Sequence, residues 1–170
     1  MTGAKIWPTT IEKAEIPPQS FDAVFSLHSI EHVYDPRLFI SRAAGFLRPG
    51  GFLYLITPNF QALGRRIFHQ DWFPFEAPRH LNLLTPRSLR SICEACGLLR
   101  VRSIRTLARS ARQEREHVYA VRRTGDFHGE FHPNPTQRFA LASFSLLEKM
   151  GSPLFQWGEE IELIAERRGV

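Results

Sequence analysis

Hydrophobic and polar positions along this chain fall into blocks of two periods. The run Phe21-Asp22-Ala23-Val24-Phe25-Ser26-Leu27 follows the turn-forming Pro17-Pro18-Gln19-Ser20 and is mostly apolar, as expected of a strand buried on both faces. Asp35-Pro36 then supplies an N-cap and a proline at the first helical position. Ile40, Ala43, Ala44 and Leu47 repeat at helical spacing behind it. Arg48-Pro49-Gly50-Gly51 is expected to stop that helix, and Phe52 to Ile56 to form a second buried strand ended by Pro58. Strand, helix, glycine turn and strand within so short a span make a βαβ unit, with parallel strands and a right-handed crossover.

The pattern continues less cleanly. Thr85-Pro86 caps a further helix with Leu89, Ile92, Cys93 and Cys96 on one face, Gly97 ends it, and Leu98 to Thr106 alternates as a strand. A helix over Phe139 to Met150 precedes a last alternating strand, Glu160 to Ala165. The Gly-, His- and Pro-rich stretch Thr124 to Pro135 reads as a loop.

Composition narrows the functional classes. The 170 residues, 43% hydrophobic, suffice for one domain with a core. Net charge is +5, and eight arginines fall between Arg100 and Arg123. They can form a phosphate-binding stripe, but no nucleic-acid motif accompanies them, so the solvated face of a strand and loop is the expectation and no nucleic-acid partner is expected. Cys93 and Cys96 are too few for a disulfide framework and lie near the end of a helix, where burial as small hydrophobes is expected; a reducing cytoplasm fits best. No stretch reaches the roughly 20 uncharged apolar residues of a membrane span. The nearest, Phe139 to Trp157, is interrupted by Glu148, Lys149 and Pro153; it reads as a core-facing helix, with docking on a membrane surface as the lesser reading.

Two constellations carry chemistry. His28-Ser29-Ile30-Glu31-His32 matches H-x-x-E-H, in which two histidines one helical turn apart bind zinc and a glutamate activates water. That chemistry needs a sustained helix, whereas this run directly follows a strand and meets Pro36 four residues on, so a zinc hydrolase through His28, Glu31 and His32 is the lesser alternative and no metal site is assigned. The second constellation is the run Phe21-Asp22-Ala23-Val24 to Ser29-Ile30-Glu31-His32-Val33-Tyr34-Asp35-Pro36, then Leu47-Arg48-Pro49-Gly50-Gly51, then Thr57-Pro58-Asn59. It resembles the fourth strand, following helix and fifth strand of class I S-adenosylmethionine-dependent methyltransferases of small molecules. Trp72 to Leu81, Thr85-Pro86-x-Ser88-Leu89 and Cys96-Gly97 are similar to the lid and next helix of one branch. The likeness runs from about Gly3 to Arg167 and is weakest from Arg109 to Trp157.

The resemblance implies an α/β fold: an incomplete doubly wound, Rossmann-like, mostly parallel sheet with flanking helices and an antiparallel last strand. Residues 1–170 then form a single methyltransferase-like domain, with a remnant third strand and loop at 1–20, the βαβ unit at 21–59, a lid and substrate segment at 60–84, and helices and strands at 85–170. The family's Gly-x-Gly-x-Gly turn, and the acidic residue after it that holds the ribose, are missing here, as expected of a gene fragment or a chain begun at an internal methionine. Activity of this chain alone is therefore in doubt. The resemblance implies S-adenosylmethionine as cofactor, with Thr10, Ile11 and Glu12 near the adenine and Ser26, Leu27 and His28 near the sulfonium end. It implies a small-molecule acceptor on O, N or C. His80 is the first candidate for a base and His28 the second, with Trp72, Phe75 and Arg79 in the substrate segment. In the family order 3-2-1-4-5-7-6, the run Phe21 to Leu27 is left as an apolar edge, so either Ala4 to Thr9 pairs with it or another chain covers it. A non-catalytic interaction module using that edge is the rival function.

Overall fold

The computed structural model describes residues 3–69, 72, 78–108 and 134–169. The elements run β1 (Phe21–Leu27), a 3-10 turn (Ile30–His32), α1 (Pro36–Phe46), β2 (Leu47–Pro58), α2 (Leu63–Phe68), α3 (Pro86–Ala95), β3 (Leu99–Leu107), α4 (Pro135–Phe155) and β4 (Glu160–Arg167). They form an α/β fold around one four-stranded sheet in the order β1-β2-β4-β3. β1 and β2 are parallel, and β4 runs antiparallel to both of its neighbours, β2 and β3.

Local chemistry sets the helix starts. The Asp35 carboxylate accepts from the amides of Arg37 and Leu38 at 2.8 and 3.0 Å, satisfying two of the donors that the first turn of α1 leaves open. At α3, Thr85 and Ser88 form a reciprocal capping box, and Gly97 at φ 72° closes the far end. Both helices bury one face. Ile40, Ala43 and Ala44 of α1 and Leu89, Ile92 and Cys93 of α3 meet Leu53, Leu55, Leu99, Ile161, Leu163 and Ala165 from the sheet in one cluster. Each fully buried leucine or isoleucine there contributes about 1.5–3 kcal/mol. Burial also drives the Cys93 thiol up to about 12, so it sits in the core as an un-ionised hydrophobe.

Arg48-Pro49-Gly50-Gly51 ends α1 as expected, but it belongs to β2 instead of standing apart as a turn. Phe21 pairs with Leu47 and Ala23 with Phe52, so β2 takes five residue steps where β1 takes two, and the excess is accommodated around Gly50 at φ 76°. Arg167 fastens this junction from the other side. Arg167 is 7% exposed, and its guanidinium donates to the carbonyls of Ala44, Gly45 and Leu47, the first two of which also accept from the amides of Leu47 and Gln19.

Residues 3–20 contain no strand, so Ala4 to Thr9 does not pair with β1, and among the described residues β2 is the sole neighbour of β1. The face of the sheet away from α1 and α3 carries Phe25 and Phe52, 69% and 45% exposed, with the Phe25 ring 5.8 Å from Tyr54. Of the basic stretch, Arg102 and Arg105 lie on β3 and pair with Glu166 and Glu162 of β4, the solvated strand face anticipated for them. Arg109 to Arg123 and most of the predicted loop Thr124 to Pro135 lie outside the described residues.

Candidate functional site

The carboxyl ends of β1 and β2 lie side by side, the position at which open parallel sheets receive ligands. His28 follows β1 directly at φ 47°, and its amide extends the ladder by donating to the Ile56 carbonyl at 2.9 Å. Because β4 is antiparallel to β2, its first residue, Glu160, pairs with Pro58 and arrives at this same end. The His28 ring sits between two acids, with Nε2 3.2 Å from Glu160 and Nδ1 3.4 Å from Glu31. Hydrogen bonding to Glu160 and then to Glu31 outweighs desolvation, raising the His28 pKa to about 10. A raised pKa favours the imidazolium form of His28, in which each ring nitrogen carries a proton, and this leaves His80 as the stronger candidate for a base.

Glu31 is 1% exposed. Burial pushes its carboxyl up, but His28 beside it, its own backbone amide and the Thr57 hydroxyl, which donates at 2.9 Å, together hold it below the usual carboxylate range. Its backbone is also engaged, since the Glu31 carbonyl accepts from the amides of Leu81 and Asn82 at 2.8 and 3.0 Å. The Asn82 side chain donates to the carbonyls of Ile30 and Val33. Segment 79–82 is thus laced onto the 3-10 turn, whose carbonyls would otherwise lack partners.

That lacing brings His80 to the site. The His32 and His80 rings are 4.8 Å apart, and His32 Nδ1 bonds the Arg79 carbonyl at 3.0 Å. His80 also borders a shallow hollow with Pro58, Phe60, Trp72, Asn82 and Leu84. Trp72 is buried, close enough to Gly64 that a Cβ there would meet its ring at 3.0 Å. Arg79 reaches the turn through its backbone, with its side chain on the exposed surface. Phe75 lies outside the described residues.

The H-x-x-E-H reading does not survive this geometry. A single 3-10 turn of three residues separates His28 from His32, so no helix presents both rings on one face. Instead the ligand atoms of Glu31, His32 and His80 lie within 4.8 Å of one another, a set of types and spacing that can receive a divalent cation.

Among the sequence-selected residues, Ser26 is buried, Leu27 is 53% exposed, and with His28 they end β1 at the opening. Thr10, Ile11 and Glu12 form a turn in which the Thr10 carbonyl accepts from Lys13 and Ala14. Arg42 of α1 ties that turn down through the carbonyls of Ile11 and Ala14, so its bonds run to α1 and none to His28. Thr57, Asn82 and Glu160 escaped selection, and Glu31 was singled out only as part of the H-x-x-E-H run. The signal for Glu160 was the antiparallel last strand, which must begin where β2 ends. Asn59 is a structural peg: fully buried, it donates to the carbonyls of Gln156 and Gly158 and accepts from Gln61.

Comparison with known proteins defines the class. Residues 5–102, more than half of the chain, match a family described as methyltransferase domain, and the chain belongs to that family. Over 87 residues it is 31% identical to a ubiquinone biosynthesis O-methyltransferase of a Chelativorans species, spanning 48% of this chain and 34% of that protein. Over 51 residues it is 39% identical to the protein of the same name from Parvibaculum lavamentivorans, spanning 30% of this chain and 20% of that protein. The chain thus covers about a third or less of these curated relatives. Among solved structures, an S-adenosylmethionine-dependent methyltransferase from Mesorhizobium loti aligns over 94% of this chain and 68% of its own, with TM-score 0.54 and 14% identity. Phosphoethanolamine N-methyltransferase 2 of Haemonchus contortus, in complex with S-adenosyl-L-methionine, aligns over 95% of this chain and 36% of its own, with TM-score 0.56 and 15% identity. At such identities the likeness is one of fold, and it agrees with the Rossmann-like architecture described above.

Proposed function

We propose that the protein transfers a methyl group from S-adenosylmethionine to a hydroxyl of a small molecule at the open end of β1 and β2. One observation carries the reading: in a chain of the methyltransferase domain family, segment 79–82 is bonded across the carboxyl end of the sheet and brings His80 beside it. The O-methyltransferase names of the sequence relatives favour oxygen over nitrogen or carbon as the acceptor atom.

The residues present suit part of the cofactor. Leu27 and His28 stand at the opening, with both ring nitrogens of His28 engaged by Glu31 and Glu160. Thr10, Ile11 and Glu12 offer a short turn for an adenine, with Ile11 packed on the core and Glu12 half-buried. When bound, the cofactor supplies an electrophilic methyl on a sulfonium that leaves as a neutral thioether. The chain's own task is then alignment and proton removal. In this reading His80 accepts the acceptor's hydroxyl proton, and Trp72, Phe75 and Arg79 belong to the segment of the sequence assigned to the acceptor.

The exposed edge of β1, with Phe25 and Leu27 beside it, favours a second reading as a non-catalytic module that pairs with another chain or a second copy. Calorimetry with S-adenosylmethionine separates the two. Binding at about micromolar strength or tighter supports the enzyme, and silence at about millimolar ligand supports the module.

A further inference from the structure

Glu31 and His32 close the 3-10 turn, and the bonds that Leu81 and Asn82 make to that turn set His80 against them. One carboxylate oxygen and one ring nitrogen from each histidine thereby come within 4.8 Å of one another. Donors about 2.0–2.1 Å from a tetrahedral zinc ion stand about 3.3 Å apart, so an inward rotation of the two imidazoles by about 1.5 Å completes the set.

The ligands are oriented from behind. Thr57 donates to Glu31 Oε2 at 2.9 Å. Oε1 is equally buried, and the His28 ring stands 3.4 Å from it, beyond the usual N–H···O range of about 2.7–3.2 Å, so this oxygen keeps lone pairs for a further partner. His32 Nδ1 lies 3.0 Å from the Arg79 carbonyl. A carbonyl can only accept, so Nδ1 carries the proton and Nε2 holds the lone pair of the neutral ring. A backbone carbonyl on the second nitrogen is the bond that orients metal-binding histidines. His80 needs one nitrogen for an ion and can keep a hydrogen bond at the other.

Charge points the same way. The His28 cation is shared between Glu31 and Glu160, so these three groups together keep one net negative charge beside the cluster. A single carboxylate with two imidazoles suits a borderline ion such as zinc, whereas magnesium and calcium take oxygen ligands.

We propose that Glu31, His32 and His80 bind one divalent ion of the zinc type, with a fourth position left open to water. The site needs neither S-adenosylmethionine nor a methyl acceptor, so its failure leaves the methyl-transfer reading standing. An ion on His80 and the proton of a hydroxyl acceptor compete for the same lone pair.

The test is titration of the full chain with zinc against a chromophoric chelator at neutral pH. One equivalent bound more tightly than about 10 μM is expected, with a thermal midpoint that rises on loading. Glu31→Gln, His32→Gln and His80→Gln should each weaken binding at least ~10-fold, since losing a ligand costs no less than losing an outer partner. His69→Gln, at an exposed histidine outside the cluster, should leave it unchanged. Circular dichroism of the metal-free variants checks their folding. Should Glu31→Gln fail to fold, His80→Gln, at a half-buried position, carries the test. Wild-type binding weaker than about 10 μM overturns the proposal, as does an equivalent of zinc that persists when His32→Gln and His80→Gln are combined. Zinc that Cys96→Ala removes and the histidine substitutions leave in place overturns it in favour of the thiols.

Discussion

His28 Nε2 and the Glu160 carboxylate meet at 3.2 Å although 132 positions separate them in the chain. The contact exists because β4 enters the sheet antiparallel to β2, so a residue near the carboxyl terminus begins its strand where β1 ends. It fixes the charge of the site, and with it the division of labour between the two histidines considered for chemistry.

Nuclear magnetic resonance should therefore find the His28 imidazole titrating near pH 10, far above its reference value. Glu160→Gln should bring that midpoint down by more than Glu31→Gln does, since Glu160 makes the larger contribution. The sign for stability follows from linkage. A pKa raised in the folded state stabilises fully below the unfolded value of 6.5, and that stabilisation is lost as pH rises toward 10. Because the ring is half-exposed, solvent screening makes the effect small. The experiment is urea unfolding of the wild type and Glu160→Gln at pH 6.5, 8 and 9.5. A gap between the two proteins that widens with pH contradicts the assignment.

Glu31 is the buried half of the cluster and obeys the opposite sign. Its depressed pKa stabilises the fold above 4.5 and the contribution disappears as the carboxylate is protonated in acid. Thr57→Val removes the hydroxyl that donates to Glu31 at 2.9 Å while keeping the shape, and leaves a buried carboxylate oxygen short of a donor. The expected cost is about 1–3 kcal/mol at pH 7, from chemical denaturation. Repeating the substitution in a Glu31→Gln background should shrink that cost; an unchanged value means the two side chains do not interact.

The local grammar of these elements was open to reading from the chain, and their assembly less so. Asp35-Pro36 and Thr85-Pro86 open helices wherever they sit, because cap and proline act within four residues. β1 begins and ends as its apolar run does. By contrast α2 has six residues, includes Gly64 and has no side-chain cap; the amide of Leu63 donates instead to Trp157, a partner that only the tertiary fold supplies. The candidate site shows the same division. His28, His80 and Trp72 were visible as residue types beside turns, while the acids that set the charge of His28 and the bonds that bring His80 to His32 depend on strand order and on Asn82. Glu31 was noticed for a helix that does not form, and its place is explained by Thr57 and by the turn.

Arg167 offers a test of the fold independent of the site. One of its terminal nitrogens donates to three carbonyls at the end of α1, in a position 7% exposed. Arg167→Met keeps most of the aliphatic stem and removes the donor to the Leu47 carbonyl and the second donor to those of Ala44 and Gly45, which still accept from the amides of Leu47 and Gln19; a loss of about 1–3 kcal/mol is expected. Arg167→Lys should restore only part, because its ammonium stands on a shorter stem than the terminal guanidinium nitrogen and is more strongly hydrated, so burying it costs more. Full recovery by lysine, seen as an unchanged thermal midpoint, contradicts the bonding described.

The two histidines should separate kinetically in the methyl-transfer reading. A base must have a lone pair to offer, and His28, held as a cation between Glu31 and Glu160, has none at neutral pH. His80 stands against His32 and borders the hollow beside Trp72. In that reading His80→Gln should lower kcat by about 100- to 10,000-fold with little change in the cofactor's KM. His28→Gln should act the other way round, raising the cofactor's KM with a smaller effect on kcat, because it loosens the Glu31 and Glu160 carboxylates at the opening and removes no proton acceptor. Added divalent cation provides the control. If Glu31, His32 and His80 hold a metal during turnover, wild-type activity falls on chelation and returns with the ion, and His32→Gln loses as much kcat as His80→Gln. A chelation-insensitive enzyme in which His80→Gln alone is crippled assigns the proton to His80 directly.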